Sequence, residues 1–299
     1  MTPDGSAAAR VLDRVAVLVG AGVPPPRAWE LVGGRPVTGG PAWDDVRLVL
    51  DVAERSGAPT AGTLRGLASA MRRTSAADRA VRVALAGPRT SARVVLALPV
   101  FGVGLGAAWG AGAVEVLLTR PVGWTCLVVA AALVAVGRHW TGALVRRASP
   151  DGRIPGVLLD AWAVALAGGG SRSTAASTVA AVLAEHGRCE AGGPDGGGSR
   201  DTRVSLGTRR AGDRDAVAVA RLHEALELGR RAGVPAAALL RAAAEDVRDD
   251  AAAAGLADAE RLGVRLVLPL GVCVLPAFVL VGVVPVVVGV LSSTVGGLG

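Results

Sequence analysis

The fold is decided by the stretch Arg231–Leu291, which reads RAGVPAAALLRAAAEDVRDDAAAAGLADAERLGVRLVLPLGVCVLPAFVLVGVVPVVVGVL. It opens with Ala-Gly-Val-Pro at 232–235, continues as a helical sequence rich in Ala and Leu, and ends in a long apolar run. That run contains Leu-Pro-Ala-Phe at 275–278. The stretch therefore predicts a helix joint, a polar helix and a membrane span in succession.

An earlier stretch has the same plan. Ser-Gly-Ala-Pro at 56–59 leads through a similar length of helical sequence to Leu-Pro-Val-Phe at 98–101, and Ala-Gly-Val-Pro itself recurs at 21–24. Self-similarity over a whole supersecondary unit indicates an internal duplication. The repeated unit is predicted to be a helical hairpin followed by a membrane span.

Composition agrees with helices that lie partly in a membrane. Apolar residues make up 51% of the chain and aromatic residues 3%, with no Tyr, and the mean hydropathy is +0.47. A core of Ala, Leu and Val favours closely packed helices over sheets. The predicted class is an all-α integral membrane protein with two repeated cytoplasmic helical-hairpin units and three transmembrane helices.

The net charge of +7 comes from arginines alone, because the chain has no Lys. A basic chain can bind nucleic acid or face an anionic inner leaflet. Aromatic stacking residues and any nucleic-acid module are missing, which favours the bilayer over a nucleic-acid partner.

The uncharged runs divide the chain into domains. Each of the longer runs has enough residues to cross the roughly 30 Å of a bilayer core. The predicted domains are a first cytoplasmic repeat at 1–92, a transmembrane hairpin at 93–137 with spans at 94–113 and 122–137, a second cytoplasmic repeat at 138–264 with a disordered insert at 187–212, a C-terminal transmembrane helix at 265–291, and a short tail at 292–299.

The arginines predict the topology. If both repeats face the cytoplasm, only Arg120 lies outside and all the other arginines lie inside. That is a strong positive-inside bias. We therefore expect an inner-membrane, multi-pass protein with a cytoplasmic N-terminus and an outside C-terminus.

Three joints of the form Gly-x-Pro are predicted to connect helices, because Gly accepts the left-handed conformation at a helix end and Pro suits the next first turn. Pro269, Pro276 and Pro285 of the last apolar run are predicted to tilt or kink it. The residues are Gly22 and Pro24, Gly57 and Pro59, Gly233 and Pro235 for the joints, and Pro99 and Pro276 for the spans.

Catalytic and metal chemistry is not indicated. The run Gly168–Thr174 superficially resembles a phosphate loop, but a P-loop needs Gly-Lys-Ser/Thr and the chain has no Lys. His186 and Cys189 could supply two metal ligands, without a second pair. The uncharged runs at 94–113, 122–137 and 266–291 carry no Asp, Glu, Arg or His, which argues against a transporter but not against an oligomeric pore. We expect no enzymatic activity, no metal and no cofactor.

The joints, the Ala- and Leu-rich helix after each joint, the closing Leu-Pro-x-Phe motifs and the order soluble, two spans, soluble, one span together resemble the F-domain family of type II secretion systems. The same family includes the platform proteins of type IV and Tad (Flp) pili. The second copy departs from the pattern, because Gly169-Gly170-Ser171 lacks the proline and a long insert follows.

The resemblance implies an inner-membrane platform that is not itself an enzyme. Its implied partners are a cytoplasmic assembly ATPase, pilins or pseudopilins, and either a paralogous platform subunit or further copies of the chain. A small membrane channel or transporter subunit and a membrane-anchored regulatory scaffold are the alternatives. The candidate partner-binding residues are the charges expected on the polar faces of the two repeats, namely Asp44, Asp45, Arg72, Arg73, Arg241, Glu245, Arg248 and Asp249.

Overall fold

A computed structural model describes residues 5–36, 39–87, 90, 94, 97, 101, 104, 121–187, 206–284 and 287. All regular structure in these residues is helical, and no strand occurs among them. The all-helical class that the composition predicts is confirmed. The principal helices are α1 (Gly5–Gly20), α2 (Pro25–Leu31), α3 (Pro41–Ser56), α4 (Thr60–Ala84), α5 (Pro121–Ala148), α6 (Val157–Ala167), α7 (Arg172–Glu185), α8 (Leu206–Ala232) and α9 (Ala236–Arg265).

The chain folds as two compact units. The first, here called the repeat unit, comprises Met1–Arg79 and Pro150–Ala254. The second, here called the apolar unit, comprises Ala80–Ser149 and Gly255–Gly299. Helical sequence from both predicted repeats therefore lies in one unit, and the long apolar helix α5 lies in the other.

Within the repeat unit the two halves correspond helix by helix, α1 to α4 with α6 to α9. Leu12 of α1 and Leu159 of α6 each precede a left-handed glycine by ten residues, and both are fully buried. Leu64 of α4 and Leu240 of α9 each follow a joint glycine by seven residues, and both are fully buried. The same apolar positions therefore build the core in both halves.

The joints take the same backbone conformation in both halves. Gly57, between α3 and α4, has a φ of +68°, and Gly233, between α8 and α9, has a φ of +66°. Gly22 and Gly169, after α1 and α6, have φ of +93° and +84°. Because a Cβ disfavours this region, glycine is the residue that allows each helix to end sharply and the next to begin.

Helix α6 lies at the centre of the repeat unit. Leu159, Ala161, Ala163, Val164 and Ala165 are buried, so α6 is enclosed on several faces rather than on one stripe. It packs against α3, α7 and α8. The first helix of the second half thus forms the core around which both halves assemble.

Helix α1 begins at Gly5, and the buried Ala8 and Ala9 extend its apolar face toward the N-terminus. One helix boundary differs from the sequence-based expectation. Helix α8 begins at Leu206, inside the insert predicted at 187–212. From there it continues without a break to Ala232. Residues 188–205 of the predicted insert lie outside the described residues.

In the apolar unit, α5 packs against a C-terminal segment, 267–283. Ala130 of α5 forms a buried cluster with Ala277 and Val281 of that segment. Farther along α5, a Cβ on Gly137 would lie 3.2 Å from the Cβ of Cys273, so the glycine permits a close approach of the two backbones.

The C-terminal segment changes its winding twice. Val267–Pro269 and Leu275–Phe278 are α-helical, whereas Leu270–Val274 and Val279–Val283 are wound as π-helix. Each π-helical turn follows a proline, at 269 and at 276, which lacks the N–H needed for the regular α-helical ladder. The prolines of this segment therefore coincide with changes of helix type.

Among the described residues, one helical stretch is long and apolar enough to cross a membrane, Gly123–Arg146, with a mean hydropathy of 1.5. The apolar stretch Gly271–Val283 is shorter than such a helix needs to be. Of the span predicted at 94–113, including Pro99, nearly all lies outside the described residues; so do the tail at 292–299 and the last part of the span predicted at 265–291.

Candidate functional site

A buried ion pair joins the central helix to the last helix of the repeat unit. One guanidinium nitrogen of Arg248 on α9, Nη2, donates to both carboxylate oxygens of Asp160 on α6, at 2.8 and 3.0 Å. The side chains of Arg248 and Asp160 are only 7% and 15% exposed. A buried pair of this kind is strongly coupled, because removing either partner leaves an uncompensated charge in the interior.

The first half contains the equivalent pair. Asp13 of α1 precedes Gly22 by nine residues, as Asp160 precedes Gly169, and Arg72 of α4 follows Gly57 by fifteen residues, as Arg248 follows Gly233. Arg72 Nη1 donates to Asp13 Oδ2, but these side chains are 52% and 39% exposed. The duplication therefore preserved one ion pair in two environments, a solvated one and a buried one.

The buried pair borders a cavity of about 110 Å³ between the two halves. One wall is formed by α4, which contributes small residues at successive turns, Gly62, Gly66 and Ala70. Val49 of α3 also contributes to the lining. The charged wall consists of Asp160 on α6, Arg73 on α4, and Arg241, Glu245 and Arg248 on α9.

At the cavity edge, Arg73 of the first half and Glu245 of the second form an ion pair of 3.5 Å between Nη1 and Oε2. Both side chains are about half exposed. Exposed pairs of this geometry contribute little to stability. The pair marks the place where the charged wall meets solvent.

Burial raises the pKa of the Asp160 carboxyl to about 6, because the ionised form loses water that the interior does not replace. The positive charges of Arg248 and Arg241 oppose that rise, and the negative charge of Glu245 adds to it. Asp160 consequently titrates closer to neutrality than an exposed aspartate does.

Two further donors of Arg248 face no acceptor of the protein. Its Nε and Nη1 are buried and have no hydrogen-bond partner. Leaving such donors unsatisfied costs about 1–3 kcal/mol each. The side chain of Arg248 also lines the cavity, and these two donors have almost no accessible surface there.

The structure brings four of the sequence-predicted partner-binding residues together around this cavity and disperses the others. The four are Arg73, Arg241, Glu245 and Arg248. Of the rest, Arg72 pairs with Asp13, Asp44 pairs with Arg47 of its own helix, and Asp249 is exposed on α9.

Two residues expected on polar faces are buried instead. Arg248 pairs with Asp160, as described above, and Asp45 is fully buried. Asp45 Oδ2 accepts a hydrogen bond of 2.7 Å from the backbone N–H of Ile154, in the segment that precedes α6. The expectation that both side chains lie on a solvated surface is wrong, because Asp45 packs against the segment before α6 and Arg248 packs against α6 itself.

Asp160 is the site residue that the sequence-based assignment omits. Its signal was the repeated Leu-Asp pair at 12–13 and 159–160, at the same distance before a glycine in each half. The repeat identifies the equivalence of the two aspartates, but only packing shows that one of them is enclosed.

The predicted joint and span residues lie at helix ends as follows. Pro24, Pro59 and Pro235 each immediately precede α2, α4 and α9, and Pro276 lies in the short helix Leu275–Phe278. Over the described ranges, no three His, Cys, Asp or Glu side chains form a group able to hold a metal ion. Cys189, the predicted partner of His186, lies outside those ranges.

Comparisons with protein-family models, with curated protein sequences and with solved structures find no match. The features of the protein that bear on its function are the repeated helical unit, the apolar helix and the charged cavity.

Proposed function

We propose that the chain is a membrane-embedded platform protein of the type II secretion or type IV/Tad pilus class, coupling a cytoplasmic assembly ATPase to filament assembly. The observation that carries the proposal is the duplicated four-helix plan with left-handed glycines at equivalent joints and one ion pair kept in both copies. The resemblance to the F-domain family rests on those joints and on the helices that follow them.

A membrane location is part of the proposal. Trp124, Val128, Val136 and Trp140 are exposed on α5, and few residues of the apolar stretch are buried within the protein. Such a face suits lipid, with Trp near the interfaces. The proposed arrangement has three spans in the inner membrane, a cytoplasmic N-terminus and a C-terminus outside, as the arginine distribution favours.

The proposed energy source is a partner, because moving an apolar pilin segment out of lipid needs free energy and the sequence carries no P-loop. The proposed contacts for the ATPase are the exposed charges of the repeat unit, since charge complementarity orients transient partners. These are Asp44, Arg72, Arg73, Arg241, Glu245 and Asp249. Pilins or pseudopilins and either a paralogous subunit or further copies of the chain complete the proposed assembly.

Cysteine accessibility tests the topology. In a chain whose native cysteines are replaced by Ser, Thr119→Cys and Thr294→Cys should react with an impermeant thiol reagent on intact spheroplasts. Glu54→Cys and Glu224→Cys, both at exposed positions of the repeat unit, should react only after the membrane is permeabilised. Labelling of the repeat unit from outside would overturn the topology and with it the proposed function.

Capture of a secretion-type hexameric ATPase by the full chain in detergent tests the function. Wild type should retain the ATPase, and the double variant Arg72→Glu/Arg73→Glu should lose most of that binding and fail to assemble filaments while still inserting into the membrane. Arg14→Glu, at an exposed position of α1, is the matched charge-reversal control. If the purified chain instead conducts ions in liposomes, and the double variant still assembles filaments, the channel alternative replaces the platform.

A further inference from the structure

The cavity between the two halves of the repeat unit has the composition of an anion site. Three arginines, Arg73, Arg241 and Arg248, line it together with two carboxylates, Asp160 and Glu245. When all five groups are ionised the lining carries a net positive charge. Guanidinium groups favour phosphate and carboxylate oxygens over chloride, because they supply several fixed donors.

The main evidence for a bound anion is the incomplete hydrogen bonding of Arg248. Asp160 engages only its Nη2, and the remaining donors, Nε and Nη1, are buried beside the cavity without an acceptor in the protein. Donors on a side chain that is 7% exposed cannot be satisfied by bulk solvent. Both atoms lack accessible surface, so the guanidinium, which lines the cavity, must turn for an acceptor there to complete its hydrogen bonding.

Two glycines of α4 also keep the cavity open. Gly62 and Gly66 occupy consecutive turns of α4, where an added Cβ would meet no atom within 4 Å. Both have φ outside the left-handed region, so neither glycine is needed for its backbone conformation. Alanine there would favour the helix by about 1 kcal/mol, and the positions nevertheless carry glycine, which leaves room for an occupant.

The equivalent ion pair in the first half lies in a different environment. Asp13 and Arg72 have the same relative positions, yet their side chains are 39% and 52% exposed. The two halves share the ion pair, and in the second half it lies beside a cavity that α4 also lines.

We propose that this cavity binds a single phosphate group, held by Arg248 together with Arg241 and Arg73 at the open side. Binding of phosphate to the repeat unit does not depend on the proposed platform function. The phosphate could belong to a free anion or to a lipid headgroup, and both present the same acceptor oxygens to the guanidinium groups.

The test is the melting temperature of the full chain in detergent, measured at fixed pH against increasing inorganic phosphate, with chloride at equal ionic strength as reference. A ligand that binds only the folded state raises the melting temperature in proportion to its occupancy. Phosphate should do so and chloride should not. A second series uses phosphatidic acid in mixed micelles, with phosphatidylcholine as reference, to distinguish a lipid headgroup from a free anion.

Two variants and one control test whether phosphate raises the melting temperature by binding in this cavity. Arg241→Gln should raise the apparent Kd for phosphate about tenfold, the loss expected from one charge-assisted hydrogen bond. Gly66→Leu should fill the cavity and abolish the effect, and Arg72→Gln, in the equivalent exposed pair, should leave it unchanged. Because Arg241 is exposed, its variant should fold even if Gly66→Leu does not.

The proposal is overturned if neither phosphate nor phosphatidic acid raises the melting temperature beyond its reference. It is equally overturned if the rise persists in Arg241→Gln, or in a folded Gly66→Leu variant, since the phosphate would then bind elsewhere on the protein. An effect of inorganic phosphate or of phosphatidic acid that Arg241→Gln weakens supports the site and identifies its source.

Discussion

Gly168 and Ser56 meet so closely that no side chain fits between them. A Cβ on Gly168 would lie 2.1 Å from the carbonyl oxygen of Ser56. The φ of Gly168 is −72°, a value open to any residue. Glycine is therefore required here by the close contact with Ser56 and not by the backbone conformation. The contact places the end of α6 against the last turn of α3, beside the joint at Gly57.

We therefore expect Gly168→Ala to destabilise the protein by about 1–3 kcal/mol, because a backbone carbonyl must shift to admit the methyl group. Gly170→Ala is the matched control in the same loop, where the nearest atom to an added Cβ is 3.6 Å away. Chemical unfolding of the full chain in detergent, followed by circular dichroism, measures both. Equal stability of the two variants would contradict the close approach.

The adjacent aspartates of α3 should respond very differently to truncation. Asp45→Ala removes the acceptor of the buried Ile154 N–H and should cost about 1–3 kcal/mol. Asp44→Ala removes only a surface pair with Arg47 and should cost less than about 0.5 kcal/mol. The same unfolding measurement separates them. Asp45→Asn keeps an oxygen acceptor and should recover part of the loss; if it recovers none, the hydrogen bond to Ile154 is not the cause.

The joint glycines should be sensitive to substitution because of their conformation. Val at Gly57 or Gly233, where φ is near +67°, should destabilise the repeat unit by roughly 1–2 kcal/mol. Val at Gly62, inside α4 and with no atom within 4 Å of the added Cβ, should be nearly neutral. Melting temperatures of the three variants test the difference, and comparable losses at all three positions would refute the assignment of Gly57 and Gly233 as joints.

Asp160 should make stability depend on pH in a defined direction. Its pKa is raised to about 6 in the folded protein from an ordinary value of 3.8, so between these values the folded state binds more protons than the unfolded state. Stability from this group is therefore fully present below about pH 4 and is lost as pH rises through about 6, by roughly 3 kcal/mol at most.

The measurement is the difference in unfolding free energy between wild type and Asp160→Asn from pH 4 to pH 7. As pH rises, the wild type should lose stability relative to Asp160→Asn, because the asparagine does not titrate. Asp13→Asn, the equivalent change in the exposed pair, should keep the same dependence of the unfolding free energy on pH as the wild type. A difference that stays constant over this range would show that Asp160 does not change protonation there.

Some features of the site could be read from local sequence and some could not. The duplicated Leu-Asp pair, the left-handed glycines and the helices between them follow from spacing and propensity, which neighbouring residues decide. The sequence predicts solvated positions for Asp45 and Arg248, because each lies in a charged stretch of its helix. Their burial depends on segments far away in sequence, which periodicity cannot reveal.

The sequence by itself determined that the chain is helical, where most of its helices end, and that its two halves repeat one plan, because these properties depend on contacts within a few turns. Only the tertiary structure decided that the halves pack into one unit with α6 at its centre. That packing buries one of two equivalent ion pairs and leaves a charged cavity beside it. The physical reason is that burial is set by which faces meet, and identical local patterns can meet different neighbours.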